Sequence, residues 1–182
     1  MQLLIPTPDV VRAREKWRYF GQERPAFAVP PGSGQISVWD FPRPPRIEDA
    51  RARLRVESSD RIIAETTRGV RVLETAGAPT YYFPPEDVDS GLLKRTGSAF
   101  RCEWKGISDE IAIEQSERSG WVLRQVYAEF EALLGWFAFY PQDLRCFVGN
   151  ERVGAQPGGY YGGWVTADLV GPIKGEPGSG GW

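Results

Sequence analysis

Histidine is absent from this 182-residue chain, methionine occurs once, and cysteine occurs only at Cys102 and Cys146. Without histidine there is no Ser-His-Asp triad, no Cys-His dyad and no histidine metal site. The two cysteines are not in CxxC spacing, so no structural metal is expected from this chain alone. No apolar run approaches the ~20 residues that a spanning helix needs, so no membrane contact is expected. The start, Met1 to Pro6, lacks a basic region followed by an apolar one. A cytoplasmic location with two free thiols is therefore expected. The formal net charge of −2 does not supply the broad positive surface used on nucleic acid, so no nucleic-acid partner is expected.

What the chain has in quantity is Gly (21), Pro (15) and Trp (7). Gly and Pro cut a chain into short segments, and aromatic residues favour strands and line pockets. The reading is a mainly β protein of compact antiparallel sheets. Residues 1–51 form an N-terminal helix and an extended arm, 52–153 a β-rich core, and 154–182 a Gly- and aromatic-rich arm packed on that core. The helix runs from an Asp9 N-cap to Phe20, with Val10, Ala13, Trp17 and Phe20 near one face. In the following arm, Ile36 to Phe41 is apolar enough to dock.

Leu54 and Val56 alternate with charged residues and pair with Arg61 to Glu65 across Ser58-Ser59-Asp60, which is turn chemistry. Thr67 to Thr75 and Thr80 to Phe83 read as further strands, and Pro84-Pro85-Glu86-Asp87 opens a short helix near 85–93. Ser98 to Trp104 is a strand. Asp109 to Ser116 and Trp121 to Tyr127 form a hairpin about Glu117-Arg118-Ser119-Gly120. Trp136 to Tyr140 is an apolar strand, and Gly149-Asn150 a tight turn between two more.

Reactive and binding side chains concentrate between Arg68 and Lys105. Arg68 and Arg71 offer forked donors to an anion, or pair with Glu65 and Glu74. By strand parity Val72 and Glu74 share one face and Arg71 the other. Tyr81 and Tyr82 point opposite ways, as core residues or as pocket walls. Cys102 and Trp104 share a face beside Lys105. A nearby cation lowers a thiol pKa, yet a free cysteine is also a small buried apolar residue. The segment Gly158-Gly159-Tyr160-Tyr161-Gly162-Gly163-Trp164 has no phosphate-loop order and reads as a packed turn.

The same pieces carry a resemblance. Thr67 to Glu74, Tyr81 to Val88, Cys102 to Gly106 and Trp136 to Pro141, in that order, resemble the domain of unknown function 427 family, also labelled nucleotidyltransferase-like. The resemblance spans roughly Ala52 to Val153 and implies a β-tent (Mss4-like) architecture. Several β-tent families hold zinc with paired CxxC motifs, which this chain lacks. Nucleotidyl transfer normally uses paired carboxylates for Mg²⁺ and a phosphate loop. The chain has no DxD pair suited to this, because Asp87 and Asp89 diverge on a short helix. No cofactor is expected.

Three readings stay open. The first is a module that binds a small anionic or aromatic ligand through Arg68, Arg71, Glu74, Tyr82, Trp104 and Lys105. The second is an enzyme with Cys102 as nucleophilic or redox thiol. The third is an interaction module whose aromatic arms hold a partner or a second copy, as in a homodimer.

Overall fold

The structure, a computed structural model, describes residues 3–113 and 116–182. The fold is mainly β, and its larger sheets are antiparallel. One sheet of long strands has the order Phe137–Phe139, Ser116–Val126, Gly106–Ile113, Leu93–Cys102. A second has the order Glu151–Arg152, Arg145–Val148, Leu54–Ser58, Arg61–Thr66. A third places Val70–Leu73 between Arg46–Asp49 and Thr80–Tyr82. The third runs into the first, because Phe83 and Phe137 exchange main-chain hydrogen bonds of 2.8 and 3.0 Å. One short pair, Ile36–Ser37 with Leu169–Val170, is parallel and joins the two arms.

The period-2 pattern that predicts the Leu54–Glu57 strand is met in full. Leu54 and Val56 are completely buried, and the turn to Arg61 uses Ser59 with φ 50°. The Gly149-Asn150 turn is also present, with Gly149 at φ 60°. The two adjacent tyrosines do face opposite ways. Tyr82 packs with Trp121 and Val72, and Tyr81 packs with Trp164 and Phe83 in a separate cluster.

Four local expectations are corrected. The α-helix is Pro8–Glu15, capped at Thr7 rather than Asp9, and it ends before Trp17. Beyond that end Trp17 Nε1 donates to Glu103 at 2.9 Å, so a tertiary contact replaces the next helical turn. The short helix near 85–93 is two 3-10 turns, Pro85–Asp87 and Ser90–Leu92, the second with Asp89 accepting from the Gly91 N–H. The strand expected from Ser98 begins already at Leu93. The hairpin turn expected about Glu117–Gly120 lies inside a strand, since Ile113 pairs with Ser116 and Gly120 pairs with both Ile111 and Phe139. Glu114 and Gln115, at the end of the Asp109–Ser116 strand expectation, lie outside the described residues, as do Met1 and Gln2.

Gly120 owes its place to close approach. A Cβ there would press on the Ala138 carbonyl oxygen, a main-chain atom that cannot move aside. That is why glycine in this stretch reads as a turn from sequence and serves as a packing residue in the sheet.

Both flanking segments contribute buried side chains. Val38 and Trp39 are fully buried, and Trp39 meets Tyr19, Phe27 and Trp182 at ring-centroid distances of 5.2, 5.1 and 5.2 Å. In the C-terminal segment Trp164 is fully buried and its Nε1 donates to Phe139 O at 2.9 Å. Lys174 N donates to Ala76 O at 2.7 Å.

Gly120→Ala is expected to destabilise the protein by about 1–3 kcal/mol, the usual cost of overpacking a rigid site. Urea unfolding followed by tryptophan fluorescence measures this. An unchanged midpoint would mean that the close approach is not needed.

Candidate functional site

Strand parity aims Val72 inward from Val70–Leu73, and Glu74, two residues on, follows the same side. Across from them the hairpin Leu93–Cys102/Gly106–Ile113 ends in a tight loop, Glu103 to Lys105, whose register pairs Cys102 with Gly106. Gly106 has φ 125°, and a Cβ there would strike Gln125 O, so only glycine closes this loop. The N-terminal segment buttresses it from outside. Arg14 Nε donates to Glu103 O at 2.8 Å, and its guanidinium lies 5.1 Å over the Trp104 ring.

Between this loop, the Glu74 strand and the C-terminal arm lies a cavity of about 570 Å³. That volume suits a small organic molecule. Phe100, Trp121, Tyr140, Tyr160 and Tyr161 give it aromatic walls. Gly162 and Gly163 let the arm close one side. A Cβ at Gly162 would collide with Trp121, and one at Gly163 with Ala78 O at 2.7 Å. This is the packed turn expected of the Gly158–Trp164 segment. Gln156 locks it from behind, accepting from Ala78 N at 3.0 Å and donating to Lys174 O at 2.8 Å.

The cavity brings together some of the residues singled out from sequence. Glu74, Cys102 and Lys105 line it. Tyr82 stands behind its wall, fully buried, accepting from Trp121 Nε1 at 3.3 Å. The others lie elsewhere. Parity turns Arg71 to the opposite face, where it meets Glu48 at 2.8 Å across the strand pair. Arg68 precedes the strand, is 61% exposed, and binds Asp87 at 2.7 Å. That bond, with one from Thr66, holds the Asp87 carboxyl below its usual range. Trp104 packs under Arg14.

The cavity also contains groups that the sequence reading did not select, namely Trp17, Arg43, Arg118 and Lys174. All four come from distant segments, so no local motif marks them. One signal was available. The chain has only four lysines, at 16, 94, 105 and 174, and two of them line this cavity.

The charges inside are unequally committed. Glu74 is paired with Arg43 at 3.2 Å and Glu110 with Arg118 at 3.1 Å, while Glu103 accepts from Trp17. Arg118 also holds the rim, donating to Tyr140 OH at 2.7 Å and Tyr160 O at 3.0 Å. Among the described residues, no acidic side chain lies within ion-pair distance of Arg101, Lys105 or Lys174. Acids are thus satisfied and cations are left over.

Burial sets the titration of each group. It raises Cys102 despite the neighbouring Lys105, and it lifts Tyr82 to about 12. Both are therefore protonated at neutral pH. For Lys105, burial opposes the charge, but attraction from Cys102, Tyr82, Glu74 and Glu103 wins and raises its pKa. Of these, Cys102 and Tyr82 act most strongly and only when ionised, so their pull on the ammonium is felt above neutral pH. Lys174 goes the other way. Burial and then the Arg43 charge lower it to about 8, against weaker support from Glu74 and Glu103.

No metal donor set accompanies these groups. Among the described residues no three His, Cys, Asp or Glu side chains converge, and Cys102 and Cys146 are both free thiols. No helix among the described residues is long and apolar enough to cross a membrane.

Two outcomes follow from these shifts. Cys102 is expected to react with iodoacetamide at pH 7 more slowly than an exposed thiol with pKa about 8.5. Fast labelling mapped to Cys102 would restore an activated thiol. Lys174 is protonated below about 8 in the fold but below about 10.5 when unfolded. Between those values the unfolded chain binds more protons, so this group makes stability rise with pH. Lys174→Met is expected to remove that rise. The difference in unfolding free energy between wild type and variant, measured in urea at pH 7 and pH 10, reads it directly.

Comparison with curated proteins gives no match. A family model described as Domain of unknown function (DUF427) matches residues 46–150, more than half of the chain. That span holds the Glu74 strand and the Cys102–Lys105 loop, and the chain belongs to the DUF427 family.

Proposed function

We propose that this protein is a binding module for a small ligand with an anionic group and a planar, apolar body. One observation carries the reading. A cavity of about 570 Å³ with aromatic walls presents the Lys105 amine while every acid in it already has a partner. A charge held away from bulk water attracts a counter-charge more strongly than the same charge on the surface. Lys105 has no bonded acid to displace, so an incoming carboxylate or phosphate meets an available donor. The rings of Phe100, Trp121 and Tyr161 supply contact area for the ligand body.

The thiol reading has less to support it, because burial raises the Cys102 pKa where an activated thiol needs a lowered one. An interaction role for the arms has less surface to use, because Trp39 and Trp164 are turned inward. The most exposed aromatic residues of the arms are Phe27 and Tyr160, at 46% and 67%.

A thermal-shift screen of aromatic carboxylates and nucleoside monophosphates tests the proposal. Several are expected to raise the melting temperature of the wild type. Calorimetry should show at least about tenfold weaker binding, about 1.4 kcal/mol, in Lys105→Met. Lys94→Met, a change at an exposed lysine, serves as the control. If no anionic ligand shifts the wild type, or if Lys105→Met binds as well, the reading fails.

A further inference from the structure

Arg43 and Lys174 share one indole. The Arg43 guanidinium lies 4.4 Å from the Trp17 ring centroid and Lys174 Nζ lies 3.4 Å from it. Both side chains are buried to 4% exposure, and one carboxylate, Glu74, is bonded to Arg43 alone. Two cations at this separation from water repel each other strongly, and a guanidinium does not give up its proton. Of the two, the amine is the group that can give up its proton.

The main chain that carries the amine is held in place. Lys174 N donates to Ala76 O, and Lys174 O accepts from Gln156 Nε2. The only hydrogen bond of Nζ among the described residues is a long one, 3.4 Å, to Trp182 O. Its lone pair is thus not committed to another group, and the residue lines the ligand cavity. Buried lysines with these properties are the ones that form covalent adducts with carbonyl compounds.

We propose that Lys174 is a nucleophilic amine that forms a reversible imine with an aldehyde or ketone carrying an anionic group. The inference rests on the anion-binding reading above, with Lys105 holding the charged end. In the first step the Nζ lone pair forms a bond to the carbonyl carbon. The C=O π pair moves to oxygen, which takes up a proton, while nitrogen loses one. In the second step the resulting carbinolamine loses its hydroxyl as water, and nitrogen gives up its remaining proton. Amine and carbonyl compound become imine and water, and nothing is oxidised or reduced. Tyr161, whose ring centre is 5.4 Å from Nζ, keeps its phenolic proton at neutral pH because burial raises its pKa to about 12.

The test uses the full chain with 4-carboxybenzaldehyde and sodium cyanoborohydride, which reduces an imine to a stable secondary amine. Intact mass and peptide mapping read the site. Lys16 and Lys94 are exposed and serve as internal references. Labelling of Lys174 at pH 7.5 is expected to exceed theirs by at least about tenfold, because a far larger fraction of it is neutral. Its rate should level off above about pH 8, whereas theirs keeps rising. Arg43, Glu74, Glu103 and Tyr161 are the charged and titratable groups that face the amine and set this profile. Lys174→Met is expected to abolish the selective adduct, and the wild-type map decides the matter even if that variant misfolds. Equal labelling of all lysines, or none at Lys174, overturns the proposal. Benzoate, which has no reactive carbonyl, is titrated in parallel. If benzoate binds through Lys105 and Lys174 stays unlabelled, the amine proposal falls and the binding reading stands. If benzoate does not bind, the failure belongs to the binding reading.

Discussion

One buried guanidinium ties the three parts of this chain together. Arg43 donates to Glu74 at 3.2 Å, to Tyr19 O at 2.7 Å, to Thr75 O at 3.0 Å and to Trp182 O at 3.2 Å. Those partners belong to the N-terminal segment, to the end of the Val70–Leu73 strand and to the C-terminal arm. Burial lowers the Arg43 pKa and Glu74 opposes that shift. Losing one partner of such a buried pair typically costs about 3–5 kcal/mol, because the other charge is left uncompensated. The fold therefore keeps Glu74 committed to Arg43.

That commitment shapes the cavity. Glu74 is bonded to Arg43 and, among the described residues, to neither Lys105 nor Lys174. With Glu74 held by Arg43, Glu110 held by Arg118 and Glu103 engaged by Trp17, the two lysines differ by environment alone. Lys105 lies beside Cys102, Tyr82, Glu74 and Glu103, and its pKa is raised against the effect of burial. Lys174 sits with Arg43 on the Trp17 ring, and burial followed by the Arg43 charge lowers its pKa to about 8. Pairs of titratable groups driven apart in this way are a recurring feature of functional sites.

Much of the β framework was legible before any coordinates. Leu54 and Val56, the Gly149-Asn150 turn and the opposed Tyr81 and Tyr82 all follow from a side-chain period of two. Parity also explains why Glu74 reaches the cavity and Arg71 does not. Two of the errors have a common cause, which is glycine or an aromatic residue used for a tertiary purpose. Gly120 looks like a turn and is a close-packing residue. Trp17 looks like the next helical position and instead bonds to Glu103.

The sequence alone determined a mainly β chain, the segment that holds Glu74, Cys102 and Lys105, and the absence of histidine chemistry. These depend on residue type and on periodicity, which act over a few positions. Tertiary structure decided which charges meet. Arg43, Arg118 and Lys174 come from distant parts of the chain, and their roles depend on distances and burial that no local pattern encodes. A lysine's charge is set by what surrounds its amine, and for Lys105 and Lys174 that surrounding exists only once the arms have closed on the sheets.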